Sequence, residues 1–229
     1  MLIGATNNEP RTTNHESRTT SHEPRTTNMV DSLIKQQIID QDGYAYLIDD
    51  FIVPQQAADV FNTLLDKVAW QQEHYVIYGK SVAAPRLVAW YGDPQARYAY
   101  SGIAHEPLPW LPVLWELKNR VEFAAQHQFN CVLCNLYRHG QDSMGWHADK
   151  EPELGRNPFI ASLSLGETRL FKFRHTKTKE TVDVILKPGC LLLMGGELQY
   201  HWRHSLPKTA KVHQARINLT FRKIVVSQK

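Results

Sequence analysis

The sequence predicts an α+β protein whose larger part is a β-sandwich or β-barrel, because two helical stretches precede many short strand-like stretches. In residues 54–70, apolar side chains recur at helical spacing: Val60, Phe61, Leu64, Leu65 and Val68. In residues 111–126, a second amphipathic stripe is formed by Leu114, Leu117, Val121 and Ala125. Two helices are therefore expected in the first part of the chain.

After Asn130 the apolar pattern changes to a period of two, which is typical of strands. Turn-forming Gly, Pro and charged residues separate the candidate strands 131–137, 160–165, 169–174, 182–187, 190–194 and 215–226. Pro188-Gly189 is a strong turn signal ahead of the apolar segment 190–194. These strands are expected to form the sandwich or barrel.

Composition and charge are those of an ordinary folded domain. The chain has 229 residues, of which 42% are hydrophobic, so a full core is available without disulfides or a structural metal. Cys131 and Cys134 lie in an apolar strand-like run, and we interpret them as buried thiols rather than as half of a redox or zinc motif. The net charge of +3 permits a local basic groove but does not by itself indicate a nucleic-acid-binding protein.

The first 28 residues contain a tandem seven-residue repeat, NNEPRTT, NHESRTT and SHEPRTT. Because it has almost nothing to bury, we expect a disordered segment over 1–28 and a single domain over 29–229. No apolar run approaches the roughly 18 residues of a membrane span, and the N-terminus has no hydrophobic signal core. We therefore expect no membrane partner. Because no oligomer signal and no basic localisation run are visible, we also expect a monomeric, cytoplasmic protein of bacterial type.

Three residues have the types and spacing of a metal site. His147 and Asp149 are two residues apart, so on a strand an imidazole and a carboxylate would share one face. His204 is the candidate third ligand and His201 competes with it; on a strand these two would face opposite sides. Two histidines and one carboxylate leave coordination positions open, as in non-haem Fe(II) oxygenases.

Segment 216–222 alternates polar and apolar residues throughout. On a strand, its polar side chains would share one face: Arg216, Asn218, Thr220 and Arg222. Two guanidinium forks suit a small dicarboxylate, and the same parity would add Asn135 and Tyr137 to the cavity. The alternative, a solvent-facing strand, ordinarily mixes Lys, Glu, Thr and Ser, so the sequence favours ligand binding.

Taken together, these residues resemble the AlkB family of Fe(II)- and 2-oxoglutarate-dependent dioxygenases. The resemblance covers residues 45–226, and segments 157–165 and 201–207 are most similar to the animal nuclear DNA-repair homologues. It implies a double-stranded β-helix (jelly roll) core with N-terminal helices and a nucleotide-recognition lid at about residues 70–105.

The resemblance also implies roles for individual residues. Fe(II) would be held by His147, Asp149 and His204, since the family pattern favours His204 over His201. The carboxylates of 2-oxoglutarate would pair with Arg216 and Arg222, with further hydrogen bonds from Asn135, Tyr137, Asn218 and Thr220. With O2, such an enzyme hydroxylates N-methyl groups of bases such as 1-methyladenine and 3-methylcytosine, and formaldehyde is released.

The implied partner is alkylated DNA or RNA, with the damaged base flipped into a pocket. The implied substrate-binding residues are Tyr78, Gly79 and Lys80 in a finger, Tyr98, Tyr100 and Ser101 in the base pocket, and Glu151 at the exocyclic amine. Methylation makes the base cationic, which suits a carboxylate and aromatic walls. Strand packing is the alternative for Tyr98 and Tyr100, and a surface turn is the alternative for Tyr78.

One position departs from the family pattern, and two other functions remain open. Lys150 stands where the duplex-repair relatives have an acidic residue, directly after the metal-binding Asp. The chain is alternatively a hydroxylase with the same cofactors that acts on RNA, a protein or a small acid. The third possibility is a non-catalytic jelly-roll binding module.

Overall fold

The computed structural model describes residues 1, 35–77, 79–100 and 103–225. The chain divides into two units, Met1–Asp31 and Ser32–Lys229. Apart from Met1, the described residues all belong to the second unit. The repeat predicted to be disordered, residues 1–28, lies outside the described residues except for Met1.

The helices of the second unit are α1 (Pro54–Lys67), α2 (Pro112–Ala125) and the short α3 (Leu198–His201), with a 3-10 turn at Pro152–Leu154. The strands, in chain order, are β1 (Lys35–Ile39), β2 (Tyr44–Ile48), β3 (His74–Ile77), β4 (Lys80–Ala83), β5 (Leu87–Gly92), β6 (Tyr98–Tyr100), β7 (Ile103–His105), β8 (Cys131–Tyr137), β9 (Met144–His147), β10 (Ile160–Gly166), β11 (Arg169–His175), β12 (Thr181–Leu186), β13 (Leu191–Gly195), β14 (Trp202–Leu206) and β15 (Arg216–Arg222).

Two antiparallel sheets form the body of this unit. The seven-stranded sheet has the order β1-β2-β13-β10-β15-β8-β5, and the four-stranded sheet has the order β12-β11-β14-β9. One buried apolar cluster contains side chains of both sheets, among them Ile160 and Leu192 from the larger and Phe173 and Leu186 from the smaller. The two sheets therefore pack face to face as a sandwich.

The two long helices cover the other face of the seven-stranded sheet. Leu64 of α1 and Leu117 of α2 belong to the same buried cluster as Leu219 of β15. Each helix has proline in its first turn, where the fixed φ of proline suits the helix and no N–H is missed. Helix α1 ends three residues before the predicted Trp70, because Val68 already has an extended backbone conformation.

Strand β15 lies between β10 and β8, with Asn218 opposite both Ser164 and Asn135. All seven of its residues are buried. Its apolar side chains contribute to the cluster under the helices, and its polar side chains line a cavity on the sandwich side. The alternative of a solvent-facing polar strand is therefore wrong.

Several short strands were not predicted from the sequence. The β1–β2 hairpin joins the large sheet through β2 and β13, while the β3–β4 and β6–β7 hairpins form separate two-stranded sheets. These strands have only three to five residues, which is too short for a clear period-two pattern. In the described part of the chain, the helices lack the combination of length and apolar character needed to cross a bilayer.

Gly189 lies in the predicted turn and has a φ of +81°. Its backbone hydrogen bonds link this turn to β10 and to the segment before α1. Its N–H donates to the Ser164 carbonyl at 2.7 Å, and its carbonyl accepts from the Ile52 N–H at 3.0 Å. A Cβ at this position would collide with the carbonyl oxygen of Ile52. We expect Gly189→Ala to lower the free energy of unfolding by about 2 kcal/mol or more, measured by urea denaturation.

Gly145→Ala is the matched control for this prediction. A Cβ on Gly145 would find nothing within 4 Å, so its effect should stay within about 0.5 kcal/mol. Equal losses in the two variants would contradict the collision at Gly189.

Candidate active site

A single cavity of about 180 Å³ brings together the residues that the sequence singled out. It is lined by every residue predicted to hold Fe(II) or 2-oxoglutarate: His147, Asp149, His204, Asn135, Tyr137, Arg216, Asn218, Thr220 and Arg222. The residues predicted to hold the ion and those predicted to hold the co-substrate thus line the same cavity, as their joint use would require.

The two candidate histidine ligands are cross-strand neighbours. His147 of β9 pairs with His204 of β14, and their ring centroids are 4.2 Å apart at an interplanar angle of 67°. The candidate ligand atoms of these histidines and Asp149 all lie within 4.8 Å of one another. This spacing fits a single metal ion with two nitrogen ligands and one oxygen ligand.

Hydrogen bonding and stacking orient both imidazoles. Nδ1 of His147 lies 2.8 Å from the Gly145 carbonyl, which only accepts, so Nδ1 carries the proton and Nε2 has a free lone pair. The ring of His204 stacks on Phe171 at 5.4 Å. Nδ1 of His204 is buried and forms no hydrogen bond with any residue the structure describes.

Asp149 is not on a strand, contrary to the prediction. Strand β9 ends at His147, and Asp149 lies in the loop that follows. Its backbone N–H donates to Oε1 of Gln199 at 2.9 Å, and its Oδ1 accepts from Nη2 of Arg222 at 2.9 Å. Two tertiary hydrogen bonds, rather than strand geometry, therefore place this carboxylate beside the histidines.

The protonation states of this cluster suit metal binding. Burial alone would raise the pKa of Asp149, but Arg222, His204 and His147 together lower this pKa to about 2. Burial and then His147 lower the pKa of His204 to about 3, although Asp149 acts in the opposite direction. At neutral pH the cluster therefore offers a carboxylate and a neutral His204, the forms that bind metals.

Arg216 is a buried cation at the other end of the polar row. It is 2% exposed, and its Nη2 donates to Oγ of Ser164 at 2.8 Å and to Oδ1 of Asn218 at 2.7 Å. Within the described residues its Nε has no hydrogen-bond partner, and it takes part in no ion pair.

Burial lowers the pKa of Arg216 to about 10, so the guanidinium stays charged at neutral pH. Burying a charge without a counter-ion is costly. This position therefore fits a ligand with a carboxylate.

A chain of hydrogen bonds orders the remaining polar side chains. Nδ2 of Asn218 donates to Oγ1 of Thr220 at 2.8 Å, and Oγ of Ser162 donates to Oδ1 of Asn218 at 3.0 Å. Nε of Arg86 donates to Oδ1 of Asn135 at 2.9 Å. Such a network holds each donor and acceptor in a fixed direction before a ligand enters.

Sequence reasoning missed Gln199, Ser162, Ser164 and Arg86. Ser162 and Ser164 share one parity within the otherwise apolar strand β10, a signal that could have assigned them to the cavity face. Gln199 lies on the four-residue helix α3, which is too short to give a periodic signal. The same helix ends at His201, whereas His204 lies on β14. The prediction that the two histidines face opposite sides of one strand was therefore wrong in its premise.

The residues predicted to bind the substrate do not line the cavity, as far as the structure describes their side chains. Gly79 forms the turn between β3 and β4 with a φ of +73°, and Lys80 is exposed on β4. Tyr98 and Tyr100 belong to β6, while Tyr78 and Ser101 lie outside the described residues. Their roles stay predictions.

Glu151 does not line the cavity, although its Oε2 is buried and has no hydrogen-bond partner among the described residues. Two other carboxylates, Glu73 and Glu106, do line it. The predicted contact of Glu151 with the base also stays a prediction.

The low pKa of His204 makes the stability of the metal-free protein depend on pH. Between about pH 6.5 and pH 3, the unfolded chain binds a proton at this position and the folded chain does not. The free energy of unfolding should therefore fall as the pH falls, by at most about 1.4 kcal/mol per pH unit from this group. The lowered pKa of Asp149 adds a further loss only below about pH 4.

Urea unfolding with a chelator at pH 7.5, 6.5 and 5.5 measures this slope. His204→Phe should reduce the slope, whereas His213→Phe, at an exposed position, should keep it. The same slope in the His204→Phe variant and the unaltered protein would contradict the assignment.

Comparison with known proteins agrees with this geometry. The family model described as "2OG-Fe(II) oxygenase superfamily" matches residues 44–222. "Alpha-ketoglutarate-dependent dioxygenase alkB homolog 3" of Bos taurus is 43% identical over 78% of this chain and 65% of its own length. "DNA oxidative demethylase ALKBH2" of Mus musculus is 39% identical over 76% of this chain and 74% of its own length.

The solved structure of OsALKBH1 has a similar fold. It covers 83% of this chain and 100% of its own, with a TM-score of 0.59 and 18% identity. The chain itself spans 65% of the length of the bovine relative and of the Homo sapiens alkB homolog 3, which is 42% identical. These matches confirm the predicted fold class and the predicted use of Fe(II), 2-oxoglutarate and O2. The chain belongs to the AlkB family of the 2OG-Fe(II) oxygenase superfamily.

Proposed function

We propose that this protein removes N-methyl groups from DNA bases, with 1-methyladenine and 3-methylcytosine as substrates. The observation that carries the proposal is the cavity in which a His-Asp-His cluster lies in one space with the buried guanidinium of Arg216, which forms no ion pair with any residue that the structure describes. The DNA substrate is supported by relatives whose names describe DNA oxidative demethylases.

His147, Asp149 and His204 would hold the iron. Nε2 of His147 is free to coordinate because Nδ1 carries the ring proton and donates it to the Gly145 carbonyl. Asp149 remains ionised and His204 remains neutral at physiological pH, so little proton competition opposes metal binding. The open side of the cluster faces the cavity, which leaves room for further ligands.

Arg216 would bind the carboxylate of 2-oxoglutarate that lies farther from the metal. Its unsatisfied Nε supplies a donor, while Ser164 and Asn218 fix the guanidinium plane. The ring of Tyr137 lies 5.5 Å from Arg216 Cζ and closes this end of the cavity. A planar, permanently charged donor pair of this kind matches a carboxylate in both charge and shape.

Arg222 would bind the carboxylate nearer the metal. It already pairs with Asp149, so the guanidinium would bridge a metal ligand and the co-substrate. Asn135, Asn218 and Thr220 would direct the remaining polar groups of 2-oxoglutarate. When bound, Fe(II) and 2-oxoglutarate supply, with O2, the oxidising power that hydroxylates the N-methyl group.

The substrate base would enter from the cavity side lined by Glu73 and Glu106. A base methylated at a ring nitrogen is cationic, so carboxylates near its path favour it over the unmodified base. We propose that Glu151 contacts the exocyclic amine and that Tyr98, Tyr100 and Ser101 line the base pocket.

The β3–β4 hairpin is the proposed finger that enters the duplex. Val76 and Val82 on this hairpin are exposed, and the exposed Lys80 would contact a phosphate of the nucleic acid. Tyr78 would fill the gap left by the flipped base. The proposed lid, at about residues 70–105, includes this hairpin and the β6–β7 hairpin.

The first test uses the full chain with Fe(II), ascorbate and 2-oxoglutarate in air. Matched single- and double-stranded oligonucleotides that carry one 1-methyladenine are the substrates, and loss of the methyl group and release of formaldehyde are measured. Both should depend on iron and 2-oxoglutarate. Asp149→Ala should abolish them, because it removes a metal ligand and leaves the buried Arg222 without its carboxylate.

Asp183→Ala, at an exposed aspartate of β12, is the control and should retain activity. Turnover of 2-oxoglutarate without methyl loss on DNA would overturn the DNA substrate, and the matching RNA oligonucleotide would then be assayed. If neither 2-oxoglutarate turnover nor methyl loss were observed, the chain would instead be a non-catalytic binding module.

Gln199 is a positioning residue for this reaction, since it acts through Asp149. It is 1% exposed, and its Oε1 is the acceptor for the Asp149 N–H. We expect Gln199→Leu to weaken the binding of Fe(II), or of Mn²⁺ as a probe, by about 10- to 100-fold. Titration measures the affinity, and thermal unfolding checks that the fold is retained.

Gln128→Leu, at an exposed position, should leave the metal affinity unchanged. If both glutamine variants bound Mn²⁺ as tightly as the unaltered chain, Gln199 would have no positioning role.

A further inference from the structure

We propose that Asp42, His175 and His201 form a second metal site, which binds a divalent ion of the zinc type. They come from three separate segments: the turn between β1 and β2, the end of β11 and the end of α3. Their candidate ligand atoms all lie within 4.8 Å of one another. None of the three lines the cavity of the His147–Asp149–His204 cluster, so this proposal does not depend on the proposed function.

The buried nitrogen of His175 is the observation that points to a ligand. His175 is 4% exposed, and its Nε2 forms no hydrogen bond with any described residue. Oδ2 of Asp42 is 3.2 Å away, but their relative direction does not allow a hydrogen bond. An ion between the two groups would use both the nitrogen lone pair and the carboxylate charge.

The other nitrogen of His175 is already held by Thr178. Oγ1 of Thr178 lies 2.9 Å from Nδ1, and the backbone N–H of Thr178 donates to Nδ1 at 3.1 Å. Metal binding through Nε2 would shift the ring proton to Nδ1, so the bond from the Thr178 N–H would be given up and the Thr178 hydroxyl oxygen would accept the Nδ1 proton instead. Histidines that bind metals commonly donate their second N–H to a neighbouring acceptor in this way.

The three ligand segments are fixed to one another without an ion. Nε1 of Trp202 donates to the Gln41 carbonyl at 3.0 Å, which ties the β1–β2 turn to the start of β14. The backbone N–H of Thr176 donates to the His201 carbonyl at 2.7 Å, which ties the end of β11 to α3. The site is therefore preorganised, and little chain entropy is lost when an ion binds.

The donor set selects the class of ion. Two imidazoles and one carboxylate suit Zn²⁺ and related transition metals, whereas Mg²⁺ and Ca²⁺ prefer oxygen ligands alone. Oε2 of Glu197 lies 3.5 Å from Nε2 of His201, so a fourth ligand is in reach. The side chain of Asp42 is 39% exposed, which gives the ion a path from solvent.

The test measures Zn²⁺ binding to the full chain in the Asp149→Ala background, which disables the first cluster. Equilibrium dialysis with Zn²⁺ should find one tightly held ion per chain, and its binding should raise the melting temperature. Adding His201→Ala or Asp42→Asn should raise the dissociation constant for Zn²⁺ at least tenfold and remove the rise in melting temperature. Asp42→Asn is chosen because Asp42 has a φ of +54°, a conformation that asparagine tolerates.

His213→Ala, at an exposed histidine, is the matched control and should bind Zn²⁺ as the background protein does. The proposal is overturned if the background protein holds no Zn²⁺, or if His201→Ala and Asp42→Asn both leave the affinity unchanged. Either result would leave Asp42 and His175 as a close polar contact without an ion. Because no demethylation is measured, failure here is separate from failure of the proposed function.

Discussion

The inner face of β15 carries two buried guanidinium groups, and much of the site serves to compensate their charge. Arg222 is neutralised by Asp149, which lies in the loop after β9 of the four-stranded sheet, so this ion pair joins the two layers at the cavity. Arg216 receives only neutral acceptors, Ser164 and Asn218, from the described residues. A buried cation held by neutral groups alone is costly unless an anion completes it, which is why the Arg216 end of the cavity fits a carboxylate.

The same ion pair also sets the protonation of the His147–Asp149–His204 cluster. Arg222 lowers the pKa of Asp149 despite the burial of that carboxyl group. The ionised carboxylate then lies beside His204, which burial keeps neutral. The positive charge of Arg222 on β15 thus helps to keep Asp149 deprotonated. A metal ion bound at the cluster would add positive charge beside a carboxylate that is already ionised.

The sequence could predict those parts of the site that follow from local alternation. The parity of segment 216–222 placed four polar side chains on the cavity face, and the same parity placed Asn135 and Tyr137 opposite them. The geometry of Asp149 could not be predicted in this way, because it depends on Gln199, which lies 50 residues away in sequence. The jelly roll itself was implied by the family resemblance, whereas the residues alone indicated only a sandwich or barrel.

Helix α3 shows why contacts made by short elements escape sequence analysis and yet matter for function. Within its four residues, Gln199 holds the Asp149 backbone and His201 reaches the cluster with His175, while Leu198 packs so closely on Gly43 that a Cβ there would collide. Residues two apart on a helix point in nearly opposite directions, so one turn contributes side chains to both clusters. An ion bound at Asp42, His175 and His201 would therefore restrain the turn that positions the Asp149 carboxylate.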